Sequence, residues 1–67
     1  MVTYHISPPS GGLFKVIHKN VDGVTMHISM DRTALEAFLR GGHSQPGPLD
    51  VLTALDCGIS VAVALDG

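Results

Sequence analysis

Two alternating segments separated by Asn20-Val21-Asp22-Gly23 constrain this chain more than any other feature. The run Leu13–Lys19 (LFKVIHK) alternates in polarity and is β-branched at Val16 and Ile17. The run Val24–Met30 (VTMHISM) places apolar residues at 24, 26, 28 and 30, a period of two that belongs to strands. An Asp-Gly pair between two such runs is a strong short-range signal for a β-hairpin, because glycine supplies the positive φ that a tight turn requires. Two registers satisfy the pattern. With Asp22-Gly23 as a two-residue type I′ turn, paired residue numbers sum to 45. Ile17, Val21, Val24, Met26 and Ile28 then share a face, and His18 stands opposite His27. With a type I turn closed by Gly23 as a bulge, they sum to 44, and Phe14, Val16 and His18 lie with Val24, Met26 and Ile28. The Asn-x-Asp-Gly sequence favours the second register, which also carries Phe14 into the core.

The rest of the chain supplies partners for this hairpin. Met1–Ile6 alternates weakly and reads as a short edge strand, ended by Ser7-Pro8-Pro9-Ser10-Gly11-Gly12. Ala34, Leu35, Phe38 and Leu39 form a helical stripe over residues 32–40, with Asp31 as N-cap, or Thr33 and Glu36 as a capping box, and Gly41 as C-cap. A Gly- and Pro-rich loop, 41–48, leads to a second helix that Pro48 starts and Gly58 ends, with Val51, Leu52 and Leu55 inward. Ile59–Leu65 alternates Ile, Val and Leu with Ser and Ala and carries no charge on either face, the signature of a central strand. The expected fold is a single small α+β domain over residues 1–67, in (β)ββααβ order. One mainly antiparallel sheet carries one or two short helices packed on one face.

A chain of 67 residues buries only about 60% of its unfolded surface, and domains of this size lean on disulfides, metals or oligomerisation. Cys57 is the single cysteine, so no internal disulfide forms. Yet 45% of the residues are hydrophobic and 15% charged, an apolar balance for so small an interior. Oligomerisation or a partner surface is the expected remedy. The charge is uneven: residues 1–40 carry all four bases, and residues 41–67 carry Asp50, Asp56 and Asp66 with no Lys or Arg. Four scattered bases and three aromatic rings (Tyr4, Phe14, Phe38) provide neither the phosphate contacts nor the stacking platform of direct nucleic-acid binding. No signal peptide is expected from the N-terminal residues, and the longest apolar stretch, 51–65, is too short and too interrupted to span a bilayer. With one unpaired cysteine, the expected compartment is the cytoplasm.

Candidate chemistry is sparse. His5, His18 and His27 can meet on one sheet face only in the first hairpin register, and no carboxylate follows at ligand spacing, so no metal site is expected. Cys57, beside Asp56 and far from any cation in sequence, reads as a small buried apolar residue rather than a thiolate nucleophile. The carboxylates fall at caps, turns and the tail. No enzymatic activity and no cofactor are expected. The loop Gly41-Gly42-His43-Ser44-Gln45, with Arg40 and Lys15, is the candidate surface for a partner or ligand. Ile59, Val61, Ala62 and Val63 are the candidate homo-oligomer contact, because an uncharged strand left open invites pairing. Met26 and Met30 offer a further adaptable apolar patch, although filling the core is the commoner role for methionine.

Two functional classes fit this profile. In the first, the chain is a non-catalytic binder of another protein, an adaptor or stoichiometric inhibitor such as the accessory proteins of phages and mobile elements. In the second, an oligomer holds a small molecule, nucleotide-like, at its subunit interfaces, with Lys15, Lys19, Arg32 or Arg40 meeting phosphates.

Overall fold

A computed structural model describes residues 2–19, 23 and 25–65. In chain order the elements are strands β1 (Val2–Ile6), β2 (Phe14–Lys19) and β3 (Thr25–Met30), helices α1 (Arg32–Gly41) and α2 (Pro48–Asp56), and strand β4 (Val61–Leu65). The α+β order is the one the periodicities predict. All neighbouring strands are antiparallel, and the sheet order is β3-β2-β1-β4.

The hairpin register is the bulged one, with His18 opposite Met26, Ile17 opposite His27 and Phe14 opposite Met30. Gly23, at φ 83°, adopts the left-handed conformation that such a bulge needs. The other turn positions, Asn20, Val21 and Asp22, and the strand start at Val24 lie outside the described residues. This register sends Phe14 and Val16 toward the helices, where both are buried.

Helix α1 begins at Asp31, whose carboxylate accepts the Ala34 N–H at 2.8 Å, so Asp31 is the N-cap. Leu35 and Leu39 turn fully into the core, and Phe38 meets Tyr4 edge-on at 5.1 Å. Arg32 lies over the Phe14 ring at 5.8 Å and pairs with Asp56, tying the start of α1 to the end of α2. Helix α2 contributes Val51, Leu52 and Leu55. Its end is a Schellman cap: Gly58, at φ 82°, donates to Leu55 O, and Ile59 N–H donates to Ala54 O. The helices, with Ile6, Phe14, Val16, Val63 and Leu65 from the sheet, enclose one core.

Several expectations are corrected. Strand β1 is interior, and β4 lies at the sheet edge. In a two-layer domain one sheet face stays open, so an interior strand keeps a polar side (Thr3 and His5), and the absence of charge does not mark a central strand. Val63 and Leu65 of β4 are buried against the helices while Ala62 is exposed. Ile59 belongs to the helix cap rather than the strand, because its N–H is spent on Ala54. Cys57 is exposed, since it follows the inward stripe of α2 by one position past Asp56. Gly41 is the last residue of α1, with Gly42 as C-cap; the left-handed residue that follows is His43, at φ 50°.

Candidate functional site

The turn out of α1 builds the concave surface that gathers most of the predicted contact residues. Two constraints shape it. Gly42 sits against Leu65, and a Cβ at that position would come within 2.8 Å of Leu65 Cδ2. The chain then reverses through His43, whose φ of 50° is costly for a residue with a side chain, about 1–2 kcal/mol. Gln45 is pinned to the sheet edge: its N–H donates to Ala64 O at 2.9 Å, and its carbonyl accepts the Ala64 N–H at 3.0 Å. A cis peptide bond joins Gln45 to Pro46, and Pro48 opens α2.

These segments surround an open recess of about 490 Å³ lined by Leu39, Arg40, His43, Ser44, Gln45 and Pro48. Arg40 forms its rim. Its Nε and Nη2 donate to Glu36 Oε1 at 3.1 and 3.0 Å, a side-chain pair one helical turn apart. Ser44 Oγ is buried with no hydrogen-bond partner among the described residues. Of the predicted contact residues, Arg40, His43, Ser44 and Gln45 therefore come together. Gly41 and Gly42 shape the turn behind them and do not line the recess.

Lys15 lies elsewhere. It points from the helix-free face of β2 into a second recess of about 400 Å³, bordered by Ser7, Ser10, Leu13 and Ser29. Sequence reasoning grouped Lys15 with Arg40 on charge alone; the sheet places them in different recesses. It also missed Glu36, Leu39 and Pro48. Glu36 was findable as the i−4 acidic partner of Arg40.

The bulged register puts His18 and His27 on opposite faces of the sheet. His18 leans on Tyr4, ring centroids 5.3 Å apart, with Nδ1 3.3 Å from Thr3 O. His5 and His27 share the helix-free face with Ile17 between them. Among the described residues no three His, Cys, Asp or Glu side chains gather as metal ligands. No described helix is long and apolar enough to cross a membrane.

Of the predicted oligomer contacts, Val63 is fully buried and Val61 partly so, both toward the helices; Ala62 and Ile59 are exposed. On the opposite edge, Met26 and Ile28 of β3 remain 45% and 38% exposed even though they point to the helix side of the sheet. The helices do not reach that far across. Met30 alone of that row packs against the core.

The fold and its recess define a small two-layer α+β domain with an open, polar recess at one helix–helix turn. No known protein family, curated protein or solved structure matches the chain.

Proposed function

We propose that this domain is a non-catalytic binder of another protein, acting as an adaptor or stoichiometric inhibitor in the cytoplasm. Its contact surface is the α1–α2 turn, Arg40 with His43, Ser44 and Gln45. The observation that carries the reading is the backbone of His43. A left-handed residue just past a helix end is ordinarily glycine, and here an imidazole is held at φ 50° on the lip of an open recess. Strain of that kind persists where the side chain has a use.

The test is to set stability against binding. His43→Gly relieves the strain and is expected to raise Tm by several degrees, as about 1 kcal/mol does for a domain of this size. In capture from a lysate of the native host, immobilised H43G is expected to lose the protein that the wild-type chain retains, and Arg40→Ala to weaken its retention. Equal capture by all three proteins would sink the proposal, as would capture of nothing by the wild type.

A second reading is an anionic small molecule of the nucleotide class in the same recess. It draws on Arg40, on the unpartnered Ser44 hydroxyl and on the N-terminus of α2, which no side chain caps. Glu36 beside Arg40 and Asp50 in the first turn of α2 oppose it. A nucleotide that raises Tm in proportion to the logarithm of its concentration would favour this reading over the first.

A further inference from the structure

The two edges of the sheet are finished differently, and the difference identifies what the open one fits. Along β4 the outward backbone groups at Ala64 are spent on Gln45. Along β3 nothing comparable covers the edge among the described residues. The Ser7 N–H donates to Lys15 O at 3.0 Å, which fixes the odd-numbered residues of β2 as those bonded to β1. By alternation the even residues of β2 bond to their partners Met30, Ile28 and Met26. Thr25, His27 and Ser29 therefore direct their N–H and C=O groups away from the sheet, and no described strand lies beyond them. The strand TMHISM contains no Lys, Asp, Glu, Arg or Pro, the devices that ordinarily protect an edge.

We propose that β3 is the contact of a homodimer, in which β3 of a second copy pairs antiparallel across a two-fold axis centred on His27. That register places His27 opposite His27 and Thr25 opposite Ser29, and it uses the outward groups of all three residues in both copies. No shift along the strand does as well. Sliding the mate by two residues brings Asp31, already the cap of α1, opposite Thr25. The same register sets Met26 of each copy beside Ile28 of the other on the helix side of the sheet, covering the most exposed apolar residues of the strand. Because β3 carries no charge, no like charges are opposed within the paired strands. A second copy is favoured over a chain of copies because pairing β3 to β4 would have to displace Gln45 from Ala64. An interface that matches itself closes as a dimer. It is small, so association is expected to depend on concentration in the micromolar range.

The experiment is sedimentation or light scattering over a micromolar to millimolar series. The wild type is expected to pass from 7.0 kDa toward twice that mass. His27→Pro removes an outward N–H without touching the β2 ladder, and Ile28→Lys places a charge beside its mate's Met26. Both are expected to stay monomeric with wild-type circular dichroism, while Ala62→Lys on β4 still dimerises. A wild type that remains monomeric throughout, or a dimer broken by A62K and not by H27P or I28K, overturns the proposal. Register is read by oxidation in a Cys57→Ser background. Cα atoms in a hydrogen-bonded antiparallel pair are about 5.5 Å apart, within disulfide reach, so His27→Cys is expected to cross-link. Ser29→Cys is not, since its mate lies four residues along, roughly 14 Å away. Equal cross-linking of both variants overturns the two-fold at His27.

Discussion

Strands β3 and β4 are both edges, both free of charge and nearly equal in length, and the domain treats them in opposite ways. Strand β4 is committed to its own chain. Val63 and Leu65 are buried in the core, and Gln45 closes the backbone at Ala64. Strand β3 is committed to little. Only Met30 of its side chains reaches the core, and its outward backbone groups are unspent among the described residues. An uncharged strand is thus no single thing. What decides its role is whether the elements of its own chain cover it, and here the core takes in Met30 at the end of β3 but leaves Met26 and Ile28 exposed.

Side-chain truncation should expose this difference most strongly. Leu65→Ala removes a core group at 5% exposure and is expected to cost about 2–5 kcal/mol, enough to unfold much of so small a domain at 37 °C. Ile28→Ala, at 38% exposure, is expected to cost under about 1 kcal/mol in the monomer. Urea unfolding of the two variants in dilute solution measures both. Comparable losses would mean that β3 is as deeply committed to the core as β4.

A proline on each edge tests the backbone half of the comparison. Ala64→Pro removes the N–H that Gln45 O accepts and leaves that carbonyl without its partner, a loss of about 1–3 kcal/mol. His27→Pro removes an N–H that has no acceptor within the described chain, so its effect on the monomer is expected to be smaller than that of Ala64→Pro. Amide exchange gives an independent check, with the Ala64 N–H protected and the His27 N–H fast at concentrations where the chain is monomeric. Protection of His27 under those conditions would remove the distinction between the edges.

The fold was readable where a local rule and the tertiary packing agree. The Asn-x-Asp-Gly sequence implied the bulged register, the stripe Leu35–Leu39 gave the buried face of α1, and Pro48 and Gly58 bracketed α2. Strand order was not readable. It depends on which strand β1 pairs with, and Val2–Ile6 carries the same alternation at an edge or in the interior. The C-terminal strand misled for a related reason. Alanines at 62 and 64 expose so little apolar surface that an open face costs little, and charge is not needed to make it tolerable. At the candidate site, Arg40, His43, Ser44 and Gln45 were legible because a short loop keeps neighbours in sequence close in space. Lys15 was not separable from them, because its distance follows from sheet topology. The strain at His43 was hidden by the two glycines before it, which looked better suited to the left-handed position. Gly42 is instead required for its close approach to Leu65.

The smallest effect discriminates best between the two edges as association surfaces. The stripe of Ala62 and Ala64 is a face that another sheet could approach closely, and a close approach would not tolerate added bulk. Ala62→Val adds two methyl groups at an exposed position on the helix-free face, opposite His5. If β4 is finished within its own chain, those groups meet solvent. The β-branched side chain then favours the strand slightly, so stability is expected to rise by no more than about 0.5 kcal/mol with association unchanged. If the alanines instead pack against a second copy, the same methyl groups overfill that contact and dissociate it at an expense of about 1–3 kcal/mol. Light scattering at one fixed concentration reads the outcome. An unchanged dimer assigns association to β3, whereas a dimer lost in A62V returns it to the C-terminal strand.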